Sequence, residues 1–345
     1  MQKRILITGG AGFIGTNSAN YFLTKNYSVT IFDNLSRKGS DENLKWLKKT
    51  WGKRFSFVRG DVVTNREKLE KVVARADAVI HLAAQVAVTT SVQNPHHDFL
   101  NNAHGTVNVL EAIRLSPNKP MIIYSSTNKV YGNMDHTVVH LTEAGYRYAD
   151  YPDGVPAHAA MDFHSPYGCS KGAADQYVRD YARIYGLQTV VFRQSCIYGP
   201  HQFGVEDQGW VAWFVISGML SRPITIYGDG HQVRDVLYVD DLCRLYEMAI
   251  KNAKKVSGHV YNVGGGSGQA FSVLQTVKKL EGIFKKPITH AFGDWRPGDQ
   301  KVYISDISKI KNDLGWEPKV DFEKGLVKLV RWAEGEKKLL KRLVG

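Results

Sequence analysis

The residues best suited to chemistry stand in one short run, Ser165-Pro166-Tyr167-Gly168-Cys169-Ser170-Lys171. With Ser165 as N-cap and Pro166 as the first helical residue, a helix starts here, and Tyr167 and Lys171 fall one turn apart on the same face. A free tyrosine, with a pKa of about 10, is a poor base at neutral pH, but an adjacent ammonium and a helix N-terminus both favour the phenolate. The pair therefore reads as a phenol able to take a proton from a sugar hydroxyl. Tyr-x-x-x-Lys is also an ordinary solvated helix pair, so the rest of the chain must decide between the two.

The elements that would position this pair begin at the N-terminus. Arg4-Ile5-Leu6-Ile7-Thr8 is a short apolar run that ends in Gly9-Gly10-Ala11-Gly12-Phe13-Ile14-Gly15, and an amphipathic stretch follows to about Lys25. Strand, glycine turn and helix in that order let backbone N–H groups and a helix N-terminus meet a pyrophosphate. The next strand, Ser28 to Phe32, ends at Asp33, where a carboxylate accepts from the adenosine ribose hydroxyls and repels a 2′-phosphate. NAD is thus favoured over NADP, with Arg37 nearby acting against that preference. Asp61, after the strand Phe55 to Arg59, either caps the following helix or approaches the adenine amino group. The strand Asp77 to His81 ends in Leu82-Ala83-Ala84-Gln85, small enough for a cofactor to lie against the backbone, and His81 reads as a packed histidine.

A long helix is expected from about His96 to Arg114, carrying Asn102, and a fifth strand, Met121 to Ser125, runs into Ser126-Thr127-Asn128-Lys129-Val130-Tyr131-Gly132. Strands alternating with helices predict an α/β fold with a parallel, doubly wound sheet. Glu143 to His164 has little periodicity and reads as a long loop with one turn of helix at most. Gln188 to Phe192 completes a first lobe of residues 1–194, and a smaller, interleaved lobe of 195–345 follows, with returns to the first near 235–265 and 303–310. In that second lobe, Arg234 and Arg296 follow turn-like residues and are placed to hold a second diphosphate.

Composition narrows the partners. The 345 residues carry a formal net charge of +12. Lys and Arg are scattered without an aromatic-studded basic stripe, which favours a phosphate-bearing small molecule over nucleic acid. Three separated cysteines, Cys169, Cys196 and Cys243, fit a reducing compartment. The histidines show no metal-ligand spacing, so no metal is expected. With neither a signal peptide nor a long apolar span, the expectation is a cytoplasmic protein that engages no membrane.

Taken together, these motifs resemble the extended short-chain dehydrogenase/reductase family of nucleotide-sugar epimerases and dehydratases. The carrying residues span most of the chain: Thr8 to Gly15, Asp33-Asn34, Gly60-Asp61-Val62, Leu82 to Ala84, Asn102, Ser125 to Thr127, Tyr167 with Lys171, Arg193, Tyr198-Gly199-Pro200, Arg234-Asp235 and Arg296-Pro297-Gly298-Asp299. The resemblance implies NAD bound by Gly9, Gly12, Phe13, Ile14, Gly15, Asp33, Asn34, Ser36, Arg37, Asp61, Val62, Leu82, Ala83, Ala84, Gln85, Asn102 and Ser125, together with Tyr167 and Lys171. It implies catalysis by Thr127, Tyr167 and Lys171. The substrate would be held by Thr127, Gln194, Gln208, Val211, Tyr227, Gln232, Arg234, Arg296 and Asp299. Cys196 departs from the pattern, because an asparagine often precedes the Val-Tyr-Gly-Pro run in the family.

A finer resemblance is to the CDP-paratose 2-epimerases, also called CDP-tyvelose epimerases, carried by Ser126 to Gly132, Phe163 to Tyr177, Asp207 to Val211 and Asp299 to Asp306. It implies oxidation at C2 of a CDP-linked sugar and reduction from the other face. A nucleotide-sugar 4-epimerase is the alternative, since C2 and C4 oxidation use the same tyrosine. A 4,6-dehydratase is disfavoured: elimination needs an acid and a base, and the family's Asp-Glu pair after the threonine is here Asn128 and Lys129. The family likeness further implies a homodimer or dimer of dimers, with helices 96–114 and 166–185 as the seam.

Overall fold

The apolar runs of the first half lie side by side. In the computed structural model, which describes residues 3–296 and 299–344, the strands β1 (Arg4–Thr8), β2 (Ser28–Asp33), β3 (Phe55–Arg59), β4 (Ala78–His81), β5 (Met121–Thr127), β6 (Thr189–Gln194) and β7 (His259–Val263) form one sheet. Its order is β7-β6-β5-β4-β1-β2-β3, with every neighbouring pair parallel. Pro297 and Gly298 of the Arg296–Asp299 motif lie outside the described residues.

A parallel sheet has helices on both faces, so its strands read as continuous apolar runs, and alternate residues feed two separate cores. Ile5, Ile7, Ile80, Ile123 and Phe192 pack on one face with Phe22, Leu242 and Tyr246. Leu6, Val79, Ile122 and Val191 pack on the other with Leu110, Ile113 and Val178. Each such side chain contributes ~1.5–3 kcal/mol on burial. The strand order reverses between β1 and β4, which opens a crevice beyond the C-terminal ends of the strands, and the glycine turn and the Ser125-Ser126-Thr127 segment both sit at that edge.

The second half builds its own core from helices Trp210–Met219, Val273–Phe284 and Phe322–Gly335, which bury Phe214, Val215, Leu280, Phe322 and Leu326. The strand Val233–Tyr238 is its spine, parallel to Cys196–Tyr198 and antiparallel to Ala270–Ser272. Asp235 on that spine is fully buried and accepts from the Ser195 hydroxyl and from the backbone N–H groups of Gly266 (3.2 Å) and Ser305 (3.1 Å). One carboxylate thus ties three chain segments together. The chain then returns to the large sheet with helix Val239–Lys251, with β7, and with Ile310 and Trp316.

Two elements differ from expectation. The segment expected as a loop from Glu143 begins in a hairpin, with Val139–Thr142 antiparallel to Gly145–Tyr148. Gly145 supplies the φ of 108° at its corner, and Tyr146 and Tyr148 supply β-favouring rings that pack on the neighbouring core. The helix expected from His96 to Arg114 runs as α from Pro95 to Phe99, as π from Leu100 to His104, and as α again from Gly105 to Leu115. A shorter helix, Val88–Gln93, precedes it. A π segment inside an α-helix often marks a functional position, and this one contains Asn102.

Candidate active site

Tyr167 lies in the first turn of the helix Ser165–Tyr185, which follows the extended His164. Ser165 has a φ of 65°, and its Oγ accepts from the Gly168 N–H at 3.2 Å, so the serine caps the turn as its residue type suggests. The Tyr167 N–H donates to Ser91 Oγ at 3.1 Å, pinning the turn to the helix Val88–Gln93. Lys171, one turn on, is buried. Its Nζ donates to the Ser125 carbonyl at 2.5 Å and lies 4.3 Å from the centroid of the Tyr124 ring. The end of β5 thus brings Ser125 to the lysine and Thr127 to the phenol.

The charges of this pair do not behave as the helical spacing suggests. Burial pushes the Tyr167 phenol up to about 12; a hydrogen bond from Thr127 and the Arg37 guanidinium pull it down, and Asp98 adds to the rise. Burial also pulls the Lys171 ammonium down to about 7, against the Asp175 and Asp98 carboxylates that raise it. Desolvation outweighs the expected phenolate stabilisation because both side chains are closed off from water. The cation that acts on the phenol is Arg37, from the loop after β2, while Lys171 is engaged by a carbonyl and a ring.

A buried brace lies beneath. Arg193 on β6 and Asp175 on the Tyr167 helix form a two-pronged ion pair at 2.9 and 3.0 Å. Asp175 also accepts from Ser126 Oγ at 2.9 Å, and Arg193 donates to Tyr131 Oη at 2.9 Å. Two neighbours of Thr127 and Lys171 are thereby held in register. Asp98 accepts from Ser170 Oγ and from Asn102 Nδ2.

Two cavities meet at Thr127, Tyr167, Ser195 and Gln208. The first runs over the glycine turn and includes Gly9, Gly12, Phe13, Ile14, Gly15, Asp33, Asn34, Ser36, Arg37, Asp61, Val62, Leu82, Ala83, Ala84, Ser125 and Lys171. Its residues fit a dinucleotide. Gly9 has a φ of 68°, and a Cβ there would stand 2.7 Å from the Ala83 nitrogen, so only glycine allows this close approach of backbone to backbone. Asp33 accepts from the N–H groups of Ala11 (2.9 Å) and Leu35 (2.7 Å), which aims the carboxylate beside the turn with lone pairs to spare. Arg37 donates to Gln208, which also lines this cavity.

Several expected residues stand elsewhere or act indirectly. Asp61 does not cap the next helix; it accepts from the Val63 N–H and from Asn34 Nδ2, both at 2.7 Å, because Asn65 occupies the cap position. Asn102 is buried behind the cavity wall: its Oδ1 accepts from the Gln85 N–H at 2.8 Å and its Nδ2 donates to Ser170 and Asp98. The Gln85 side chain turns back to the Ala87 carbonyl. Gln194, expected at the substrate, lies in the wall of the first cavity and donates to Tyr246 Oη at 2.8 Å, since β6 directs it toward helix Val239–Lys251. His81 bonds Thr8 at 2.6 Å and Thr106 at 3.1 Å, as a packed histidine.

The second cavity is lined by Gln208, Val211, Tyr227, Gln232, Arg234, Arg296 and Asp299. Arg234 donates to Asp299 at 2.7 Å and to the Gln300 and Val233 carbonyls at 2.6 and 2.8 Å. Arg296 lies 3.7 Å over the Tyr227 ring and pairs with Asp207 at 3.1 Å. Sequence reading gave no substrate role to three further lining residues, Lys129, Cys196 and Trp210. Trp210 Nε1 donates to Cys196 Sγ at 3.4 Å. The signal for Lys129 was present, since it follows Thr127 by two residues, but its direction depends on the turn Asn128–Tyr131.

Comparisons with known proteins agree with this arrangement. The family model described as GDP-mannose 4,6 dehydratase matches residues 6–329. A CDP-paratose 2-epimerase of Salmonella typhi is 45% identical over 336 residues, covering 95% of this chain and 98% of its own. Among solved structures, the UDP-glucose 4-epimerase of Thermotoga maritima with UDP-glucose superposes with a TM-score of 0.82 at 32% identity, over 97% of this chain and 99% of that one. The UDP-glucuronic acid 4-epimerase of Bacillus cereus, in complex with UDP-glucuronic acid and NAD, gives 0.81 at 29% identity, over 96% and 99%.

Proposed function

Since this chain belongs to the GDP-mannose 4,6-dehydratase family of extended short-chain dehydrogenases/reductases, we propose that it is an NAD-dependent epimerase, an isomerase that inverts C2 of a CDP-linked sugar through a 2-keto intermediate. The observation that carries this reading is the convergence of Thr127 and Tyr167 where the two cavities join, in a chain 45% identical to a CDP-paratose 2-epimerase. Bound NAD supplies the hydride acceptor and donor.

The protein's own residues supply the rest. As phenolate, the form that the Thr127 hydrogen bond and the Arg37 guanidinium favour against burial, Tyr167 takes the proton of the sugar hydroxyl and returns it to the same oxygen, so one residue serves both directions. Thr127 orients the phenol. Lys171, donating to the Ser125 carbonyl, fixes the floor on which a nicotinamide ribose would rest. Gly9, Gly12 and Gly15 would let the pyrophosphate lie close against the turn at the helix N-terminus, and Asp33 would accept from the adenosine ribose. Arg234, Arg296 and Asp299 line the substrate's nucleotide diphosphate site. Residues 1–194, with the later returns, form the cofactor lobe, and 195–345 form the nucleotide-sugar lobe.

The turn after Thr127 supports epimerisation over dehydration, because Asn128 and Lys129 offer no carboxyl pair for elimination. Exposed Phe99, Leu115, Tyr177 and Ile184 on the helical runs Pro95–Leu115 and Ser165–Tyr185 support a homodimer seam there. Among the described residues no helix is long and apolar enough to cross a membrane, and the widely spaced cysteines support a cytoplasmic enzyme.

Deuterium placement tests the proposal. In the purified protein with its nucleotide, a CDP-sugar carrying deuterium at C2 retains the label in the inverted product, and deuterium at C4 is silent. Exchange of the C2 label with solvent, or inversion at C4, overturns it.

A further inference from the structure

The second cavity holds a cation that the mechanism above does not use. We propose that Lys129 determines which carbon reacts: its ammonium takes the phosphate attached to the sugar's anomeric carbon and so brings C2, rather than C4, beneath Thr127 and Tyr167. This inference rests on the nucleotide-sugar reading and adds the residue that sets its regiochemistry.

Position is the first support. Lys129 stands in the turn that follows β5, and its backbone N–H donates to Thr127 Oγ1 at 3.2 Å. The ammonium therefore hangs from the same turn as the threonine expected to meet the reacting hydroxyl. Its side chain, 22% exposed, lines the second cavity together with Tyr167, Cys196 and Arg234. An anion met by this group shares the cavity with Thr127 and Tyr167.

Charge is the second. Asp299 lies 2.7 Å from Arg234 and 3.8 Å from Lys129, so two cations share one carboxylate. Burial and the Arg234 charge pull the Lys129 pKa down, against Asp299 and Cys196, which raise it. A wall built this way carries net positive potential that an incoming phosphate relieves. Arg234 is already tied to Asp299 and to the Val233 and Gln300 carbonyls. A lysine ammonium on its flexible stem can follow a substrate phosphate.

Chemistry supplies the third. In a glycosyl diphosphate, C2 is two bonds from the anomeric oxygen, whereas C4 is four bonds away across the ring. A phosphate held close to Thr127 and Tyr167 presents C2 to them, whereas a phosphate held farther off leaves room for C4.

The test compares ligands that differ by the phosphate in question. CDP and CMP are titrated calorimetrically into the NAD-containing protein and into Lys129→Met, Lys129→Gln and Lys129→Arg. Loss of one charge-assisted hydrogen bond predicts a fall of about 10- to 100-fold in CDP affinity for the Met and Gln variants, unchanged CMP affinity, and recovery in Lys129→Arg. Equal losses for both nucleotides, or no loss of CDP affinity, would overturn the proposal; the Gln and Arg variants decide it where Lys129→Met does not fold. If uridine nucleotides bind better, UDP and UMP replace the pair, and the CDP part of the functional reading fails while this test stands. A wild-type protein that inverts C4 yet shows the diphosphate-specific loss overturns the regiochemical role alone.

Discussion

Lys171 holds an ammonium group where almost no water reaches it, and the cost of doing so depends on pH. Its pKa is pulled from 10.5 down to about 7, whereas in the unfolded chain the same lysine keeps its proton to about 10.4. Below pH 7 both states are protonated and the full cost is present. Between pH 7 and 10 the unfolded chain binds one more proton than the folded one, so this lysine makes stability rise with pH. At about 1.4 kcal/mol per pH unit, roughly 3 kcal/mol is gained between pH 7 and 9.5. Tyr167 acts with the opposite sign, because the folded phenol keeps its proton to about 12, but only above about pH 10, where an unfolded tyrosine begins to ionise. The window therefore closes before the two effects collide. Urea denaturation of nucleotide-free wild type and Lys171→Met, in half-unit steps from pH 6.5 to 9.5, reads the lysine by difference. The stability of the variant relative to wild type should shrink by roughly 3 kcal/mol across the window. Parallel curves would show that the buried ammonium keeps its ordinary affinity for the proton, and the account of the site's charge given above would be wrong.

Two further outcomes follow from the same geometry. Tyr167→Phe should lower turnover by about 10²- to 10⁴-fold, the worth of a positioned acid/base, while nucleotide released on denaturation still assays as NAD; substantial residual activity would require another base. Asp175→Asn strips a buried guanidinium of its carboxylate, with side chains 2% and 0% exposed, and should cost ~3–5 kcal/mol in urea denaturation. The Lys171 pKa should fall further in that variant, because the Asp175 carboxylate does more than Asp98 to hold it up; a loss under about 1 kcal/mol would mean that Arg193 finds its charge satisfied elsewhere.

Much of this protein could be read from the order of its residues, and the reason is local. A glycine turn between a strand and a helix, a carboxylate at the end of the next strand, and Tyr167 one turn before Lys171 all state their geometry through neighbours close in sequence. The seven-stranded sheet likewise follows from apolar runs that alternate with helices. The hairpin Val139–Thr142 to Gly145–Tyr148 was not legible, because its strands are short and its rings are held by a core from distant segments. Nor was the π turn at Asn102, whose amide is fixed by Ser170, Asp98 and Gln85 from three different elements.

The electrostatics of the pair were decided only by the tertiary structure. Sequence places a cation one turn from the phenol, and in water that neighbour would favour the phenolate; burial reverses the effect, and the lysine is drawn to the Ser125 carbonyl at the end of β5. The cation that reaches the phenol is Arg37, 130 positions away in the chain. In the same way Lys129, Arg234 and Asp299, far apart in the chain, become one charged cluster only in the folded protein. Residue types and short spacings determine what a segment can become, whereas desolvation and charge pairing depend on every group packed around it, and only the folded chain assembles those.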